Sequence, residues 1–141
     1  MNFSIPIVNA LDKQRLQPLL RPELMSTWPI LRLRRVLEAA RIVPPERIPA
    51  DVVTMNSRVR IRDLQWDSAE TLTLAYPESA RSAPEDPDGR AGRLSVVSPL
   101  GSALLGARVG QNATWIGPRG PRRVRVEALE FQPEKEGRYD L

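Results

Sequence analysis

The sequence predicts an α+β protein: a short N-terminal helical hairpin followed by an antiparallel β half-barrel with one short helix packed on it. Three observations carry this. Apolar residues recur every three or four positions up to about residue 42, they alternate every second position from about Asp51, and a punctuated segment from Ser98 to Gly106 interrupts the strands. The change of period divides the chain into a hairpin over 1–48 and a β-rich domain over 49–141, with the linker at Pro44 to Pro49. A proline linker predicts that the fragment from about Pro49 to Leu141 folds alone.

Asn9 is suited to N-cap a first helix running to about Leu20, with Leu11, Leu16, Leu19 and Leu20 on its apolar face and Pro18 tightening its last turn. After a break at Arg21-Pro22-Glu23, Ser26 or Thr27 with Pro29 opens a second helix to about Ile42, where Ile30, Leu33, Leu37 and Ala40 repeat at 3 and 4. Two amphipathic helices joined by a short connection predict a hairpin that buries its leucines between the arms. Pro44-Pro45 ends it.

Val59 and Ile61 alternate with Arg58, Arg60 and Arg62, and Leu72, Leu74 and Tyr76 alternate with Thr71, Thr73 and Ala75, which predicts two half-buried antiparallel strands with a turn at Asp67-Ser68. Leu94 and Val96 mark a third strand, residues 112–116 a fourth and 122–131 a fifth. In the fifth, Val124 and Val126 have the opposite parity to Leu129 and Phe131, so a β-bulge near Glu127 or Ala128 is required to keep both pairs inside. Between the third and fourth strands, Ser98 as N-cap, Pro99 at N1 and Gly106 just past the end frame a two-turn helix whose Leu100, Leu104 and Leu105 can cover the open sheet face. Ser79 to Arg90, rich in Pro, Asp and Ser, predicts a surface loop.

The chain has 141 residues, no cysteine and no histidine, so disulfides, thiolate or imidazole metal sites and all Cys- or His-based catalysis are excluded. Glu85-Asp86-Pro87-Asp88-Gly89 lacks the spaced oxygens and closing Glu of a calcium loop, and Gly101, Gly106 and Gly110 match no phosphate-binding pattern. The expectation is a binding protein with no cofactor and no metal, not an enzyme. No stretch reaches the roughly 20 apolar residues of a membrane span, and Met1 to Pro6 lacks a basic leader, so a cytoplasmic location without membrane contact is expected.

Net charge is +4, and residues 1–50 carry 8 basic against 4 acidic groups while 51–141 carry 13 of each. The excess in the first third suggests an anionic partner, with Arg32, Arg34 and Arg35 as candidate nucleic-acid contacts. Arg58, Arg60 and Arg62 share a strand face that ordinary alternation places in solvent, and Gly117 to Arg123 offers guanidiniums without interleaved aromatics.

The run Asp51-Val52-Val53-Thr54-Met55-Asn56-Ser57-Arg58-Val59-Arg60 resembles the Rnk family, named as regulators of nucleoside diphosphate kinase. Ser95 to Gly110 is similar to the block that Rnk shares with the C-terminal domain of the transcription factors GreA and GreB, and Gln132-Pro133-Glu134 with Gly137, Tyr139 and Leu141 is similar to the Rnk C-terminus. The resemblance implies an FKBP-like C-terminal domain, a short coiled-coil hairpin and binding to RNA polymerase at the rim of its secondary channel. It makes Ser98, Pro99, Leu100, Gly101 and Ala103 the candidate polymerase contacts, and the tip from Arg21 to Thr27 the counterpart of the Gre tip, whose acidic residues help hold a catalytic metal. Here the tip has one carboxylate, Glu23, on a short arm, so cleavage activity is not implied. Regulation of nucleoside diphosphate kinase and nucleic-acid binding are the alternative functions. The sequence departs from these relatives at the loop 79–90 and at Trp66, and its two Phe and two Tyr argue against an aromatic proline pocket and isomerase activity.

Overall fold

A computed structural model of the chain describes residues 5–21, 28–81, 92–117 and 119–139. It is a mixed α+β fold built on a curled five-stranded sheet. β1 (Ile7–Asn9) leads directly into helix α1 (Ala10–Leu16), which tightens into a 3₁₀ turn at Gln17–Leu19 around Pro18. Asn9 is the expected N-cap: its Oδ1 accepts from the Asp12 N–H at 2.7 Å. Helix α2 (Trp28–Ala39) follows, and then β2 (Arg41–Val43).

β1 and β2 form a parallel pair, with Ile7 opposite Arg41 and Asn9 opposite Val43. This corrects the expectation that the second helix continues to Ile42. The Arg41 N–H donates to Pro6 O at 2.8 Å, so strand pairing across more than thirty residues takes the backbone that local periodicity assigned to the helix. The helical leucines are not buried chiefly between the two arms, as the hairpin expectation had it, because α1 and α2 scarcely touch. Leu16, Leu33 and Leu37 join Val53, Met55, Val59, Leu74 and Leu104 in one buried cluster, and α2 packs on the helix that covers the sheet. The core therefore runs across the chain position near 48 where the period changes.

The main sheet has the order β5-β4-β3-β7-β6, with β3 (Arg58–Asp63), β4 (Ser68–Ala75), β5 (Arg93–Ser95), β6 (Asn112–Gly117) and β7 (Gly120–Phe131). Val59, Ile61, Leu72, Leu74, Val124 and Val126 point inward as alternation requires. Along β7 the register with β3 slips twice, skipping Glu127 and then Glu130, so that Ile61 faces Val126 and Val59 faces Leu129. The first slip is the bulge that the parity change demands, and the second carries the strand on to Phe131. The sheet departs from the expected antiparallel pattern in one place: β5 runs parallel to β4. A parallel neighbour needs a crossover, and the chain between these strands supplies one that includes helix α3 (Pro77–Arg81), where the surface loop was expected to have begun. The remainder of that loop, from 82, lies outside the described residues.

Helix α4 (Pro99–Leu104) lies against both β6 and α2. Among the described residues no helix is long and apolar enough to cross a membrane.

Candidate functional site

The candidate polymerase contacts gather at the start of α4. Ser98 is extended, at φ −69° and ψ 156°; its Oγ accepts from the Gly101 N–H at 3.0 Å and donates to Ser95 O at 2.7 Å, which fixes the helix start to the end of β5. Pro99 occupies the first turn, where its missing N–H costs nothing. Gly101 is required by close approach, because a Cβ there would sit 2.0 Å from Ser95 O. Beyond the helix, Gly106 has φ +82° and would meet Pro6 Cβ at 2.6 Å, so the residue that ends α4 also lets the N-terminal strand pass over it. Leu104 and Leu105 are buried, while Pro99, Leu100 and Ala103 remain half-buried at the surface.

Leu100 also lines a cavity of about 270 Å³ with Ile61, Val124, Trp115, Arg122 and Asp63. The guanidinium of Arg122 lies 5.8 Å from the Trp115 ring centroid and pairs with Asp63. Asp63 Oδ1 accepts from the Gln65 and Trp66 amides at 2.8 and 3.1 Å. Desolvation alone would raise the Asp63 carboxyl, but these amides and Arg122 outweigh it and hold the group below its ordinary range. Trp115 Nε1 and Arg122 Nε are buried with no acceptor among the described residues. The cavity thus combines an apolar wall of Ile61, Leu100 and Val124 with a charged edge of Asp63, Glu70 and Arg122, a shape suited to an apolar side chain of a docking partner. Sequence reasoning missed Asp63 and Trp115 and gave Arg122 only as one of the guanidiniums between Gly117 and Arg123, and only strand register brings the three together; the Asp63-x-Gln65-Trp66 turn pattern was the available local signal.

The arginines expected to contact nucleic acid do not form one patch. Arg34 pairs with Glu38 one turn along α2 at 3.2 Å, Arg32 donates through Nη2 to Thr114 O at 2.9 Å, and Arg35 is exposed. Arg60 and Arg62 are bridged by Glu127 at 3.1 and 2.5 Å, and Arg62 also meets Asp67 at 3.1 Å, so these two β3 arginines are paired on a solvent face that exposed Arg58 shares. Arg21 is exposed, and the rest of the tip, Glu23 included, lies outside the described residues. Trp66, where the sequence departs from its relatives, is 69% exposed on the β3–β4 turn.

A second constellation, unforeseen from the sequence, ties the N-terminal segment to the half-barrel. Asp12, only 3% exposed, accepts from the Met55 N–H at 3.0 Å, and Glu134 accepts from Thr54 Oγ1 at 2.7 Å and from the Asn9 amide. Thr54 and Ser57 are linked by 2.8 and 2.9 Å hydrogen bonds. Burial pushes the Asp12 carboxyl up to about 7, the Met55 amide and Arg15 opposing and Glu134 adding to the rise. Asp12 lies one turn before Leu16 on the face that α1 buries, and a carboxylate at such a position was the signal for it. Among the described residues no three metal-binding side chains cluster.

The family model described as the C-terminal domain of the transcription elongation factors GreA and GreB matches residues 48–131. A regulator of nucleoside diphosphate kinase from Escherichia coli K12 is 39% identical over 137 residues, 96% of each chain. A transcription elongation factor GreA from Acidiphilium cryptum is 28% identical over 102 residues, 72% of this chain and 60% of that one. Among solved structures, a prokaryotic transcription elongation factor GreA/GreB from Nitrosomonas europaea aligns with TM-score 0.69 at 36% identity, over 92% of this chain and all of that one.

Proposed function

Because the chain belongs to the GreA/GreB family and is a regulator of that transcription-factor type, we propose that it docks on RNA polymerase at the rim of the secondary channel and does not stimulate transcript cleavage. The observation that carries the docking half is the half-buried Pro99, Leu100 and Ala103 surface beside the cavity that Leu100 lines, within the segment that resembles the Gre factors. In this reading the half-barrel from residue 49 is the FKBP-like docking domain and the segment before it is the arm. The non-cleaving half follows from length and charge. Helix α2, at 12 residues, extends about 18 Å at 1.5 Å per residue, and the segment from Arg21 to Thr27 holds one carboxylate where a metal held for phosphodiester attack needs more.

A cleavage assay on stalled elongation complexes tests both halves. The protein alone leaves transcripts uncut, and it suppresses cleavage driven by an authentic Gre factor in a manner relieved by excess of that factor. Stimulated cleavage overturns the arm argument, and undiminished Gre activity at saturating protein overturns the shared docking surface. The name of the Escherichia coli relative favours a second reading, control of nucleoside diphosphate kinase, which predicts that the kinase rather than polymerase subunits is retained by the immobilised protein.

A further inference from the structure

β6 is an edge strand of the main sheet. The Val126 N–H donates to Gln111 O at 2.9 Å, which turns the backbone groups of residues 111, 113 and 115 toward β7 and those of Asn112, Thr114 and Ile116 outward. Edges of this kind are usually covered. Here α4 forms the floor and α2 stands off on the far side, leaving a groove of about 960 Å³ along the strand.

The groove carries charge without a counter-charge. Arg32 reaches across it from α2 to take Thr114 O, while its Nε is buried and unpartnered, and burial pulls the guanidinium below its ordinary range. Arg123, the cross-strand partner of Thr114, lines the same groove and is exposed. Among the described residues no carboxylate and no aromatic ring lines it. Guanidiniums alone would suit any anion, but a nucleobase would find no ring to stack on, whereas an unpaired strand edge suits a peptide backbone.

We infer that the groove between α2 and β6 receives an extended acidic peptide segment of a partner protein, which adds to the sheet at Asn112, Thr114 and Ile116 and places its carboxylates on Arg32 and Arg123. The incoming N–H replaces Arg32 on Thr114 O, and the released guanidinium pairs with a side chain of the new strand, so each group displaced finds a stronger partner. Ile116, 53% exposed at the end of the edge, offers the new strand an apolar contact. The groove shares no lining residue with the cavity beside Leu100, and of the candidate polymerase contacts only Ala103 lines it, so the test reads Asn112, Thr114 and Ile116, which lie outside that patch.

The test is a titration of the full chain with an acetylated, amidated octapeptide alternating Glu and Thr, followed by amide resonances. Binding is expected to shift and protect Asn112, Thr114 and Ile116, and to weaken about tenfold in Arg32→Gln and again in the exposed Arg123→Gln, as loss of one charge-assisted contact implies. The same peptide N-methylated at alternate positions keeps its charge but loses the donors of one strand edge, and is expected not to bind in the methylation register that blocks pairing. No shift at these residues, equal binding of both N-methyl registers, equal binding of the Lys-Thr counterpart, or capture of an oligothymidylate in preference to the peptide would each overturn the inference.

Discussion

Helix α4 and the N-terminal segment press on the same core, yet near neighbours fix the first and distant partners the second. Ser95, Ser98, Gly101 and Gly106 set the start, close packing and end of α4 from within one short stretch of chain. The N-terminal segment is held by Asp12 on Met55, by Asn9 on Glu134 at a separation of 125 residues, and by the Ile7 N–H on Gly106 O at 3.2 Å. A region with local determinants can be recognised from its sequence. One with distant determinants reveals its helices but not their attachment.

The largest test of the contrast is removal of the whole segment. Deleting residues 1–48 uncovers the neighbours of Val8, Leu16, Leu33 and Leu37, each at most 2% exposed. At about 2 kcal/mol per buried aliphatic side chain the loss is roughly 8 kcal/mol, comparable to a whole domain's stability. The fragment from Pro49 is therefore expected to melt broadly or not at all in a calorimeter, and a sharp two-state transition near that of the full chain would show that the core does not need the segment.

Next in size is Gly101→Ala, in which the added methyl meets the Ser95 carbonyl. Forcing the helix away from β5 is expected to cost about 3 kcal/mol, read as a lower denaturant midpoint. Unchanged stability would mean that α4 sits loosely on the strand.

Asp12 probes the other region. Asp12→Ala leaves the buried Met55 N–H without an acceptor and is expected to cost about 2 kcal/mol, whereas Asp12→Asn retains one and should cost less. The pH dependence has a definite sign. Burial raises the folded-state value from 3.8 to about 7, so between these limits the folded form holds the proton that the unfolded form has released. This contribution is complete below about pH 4 and is lost as pH rises through 7. Melts of the wild type and Asp12→Asn across that window should diverge, the variant lacking that decline; parallel curves would mean that Asp12 is already ionised in the folded state.

The smallest effect is Ser98→Ala, which removes one cap and leaves the Gly101 N–H unpaired, for about 1 kcal/mol. A change as large as that at Gly101 would mean that the bond from Ser98 to Ser95 O matters more than the cap itself.

The sequence by itself determined the α+β class, the caps at Asn9 and Ser98, the alternation of β3 and β4, and a bulge near Glu127 or Ala128, because each depends on spacing, parity or a side chain that reaches its own backbone. It also carried the family, through blocks that span residues 51–60 at the start of β3, helix α4 and the C-terminal turn. Only the tertiary structure decided that residues 41–43 are a strand, that β5 lies parallel to β4, that Leu100 shares a cavity with Trp115 and Arg122, that Asp12 meets Met55, and that Asn9 and Glu134 join segments 125 residues apart. Those features are pairings between segments far apart in sequence, and neither local propensity nor hydrophobic period encodes which distant backbone or charge a residue will meet.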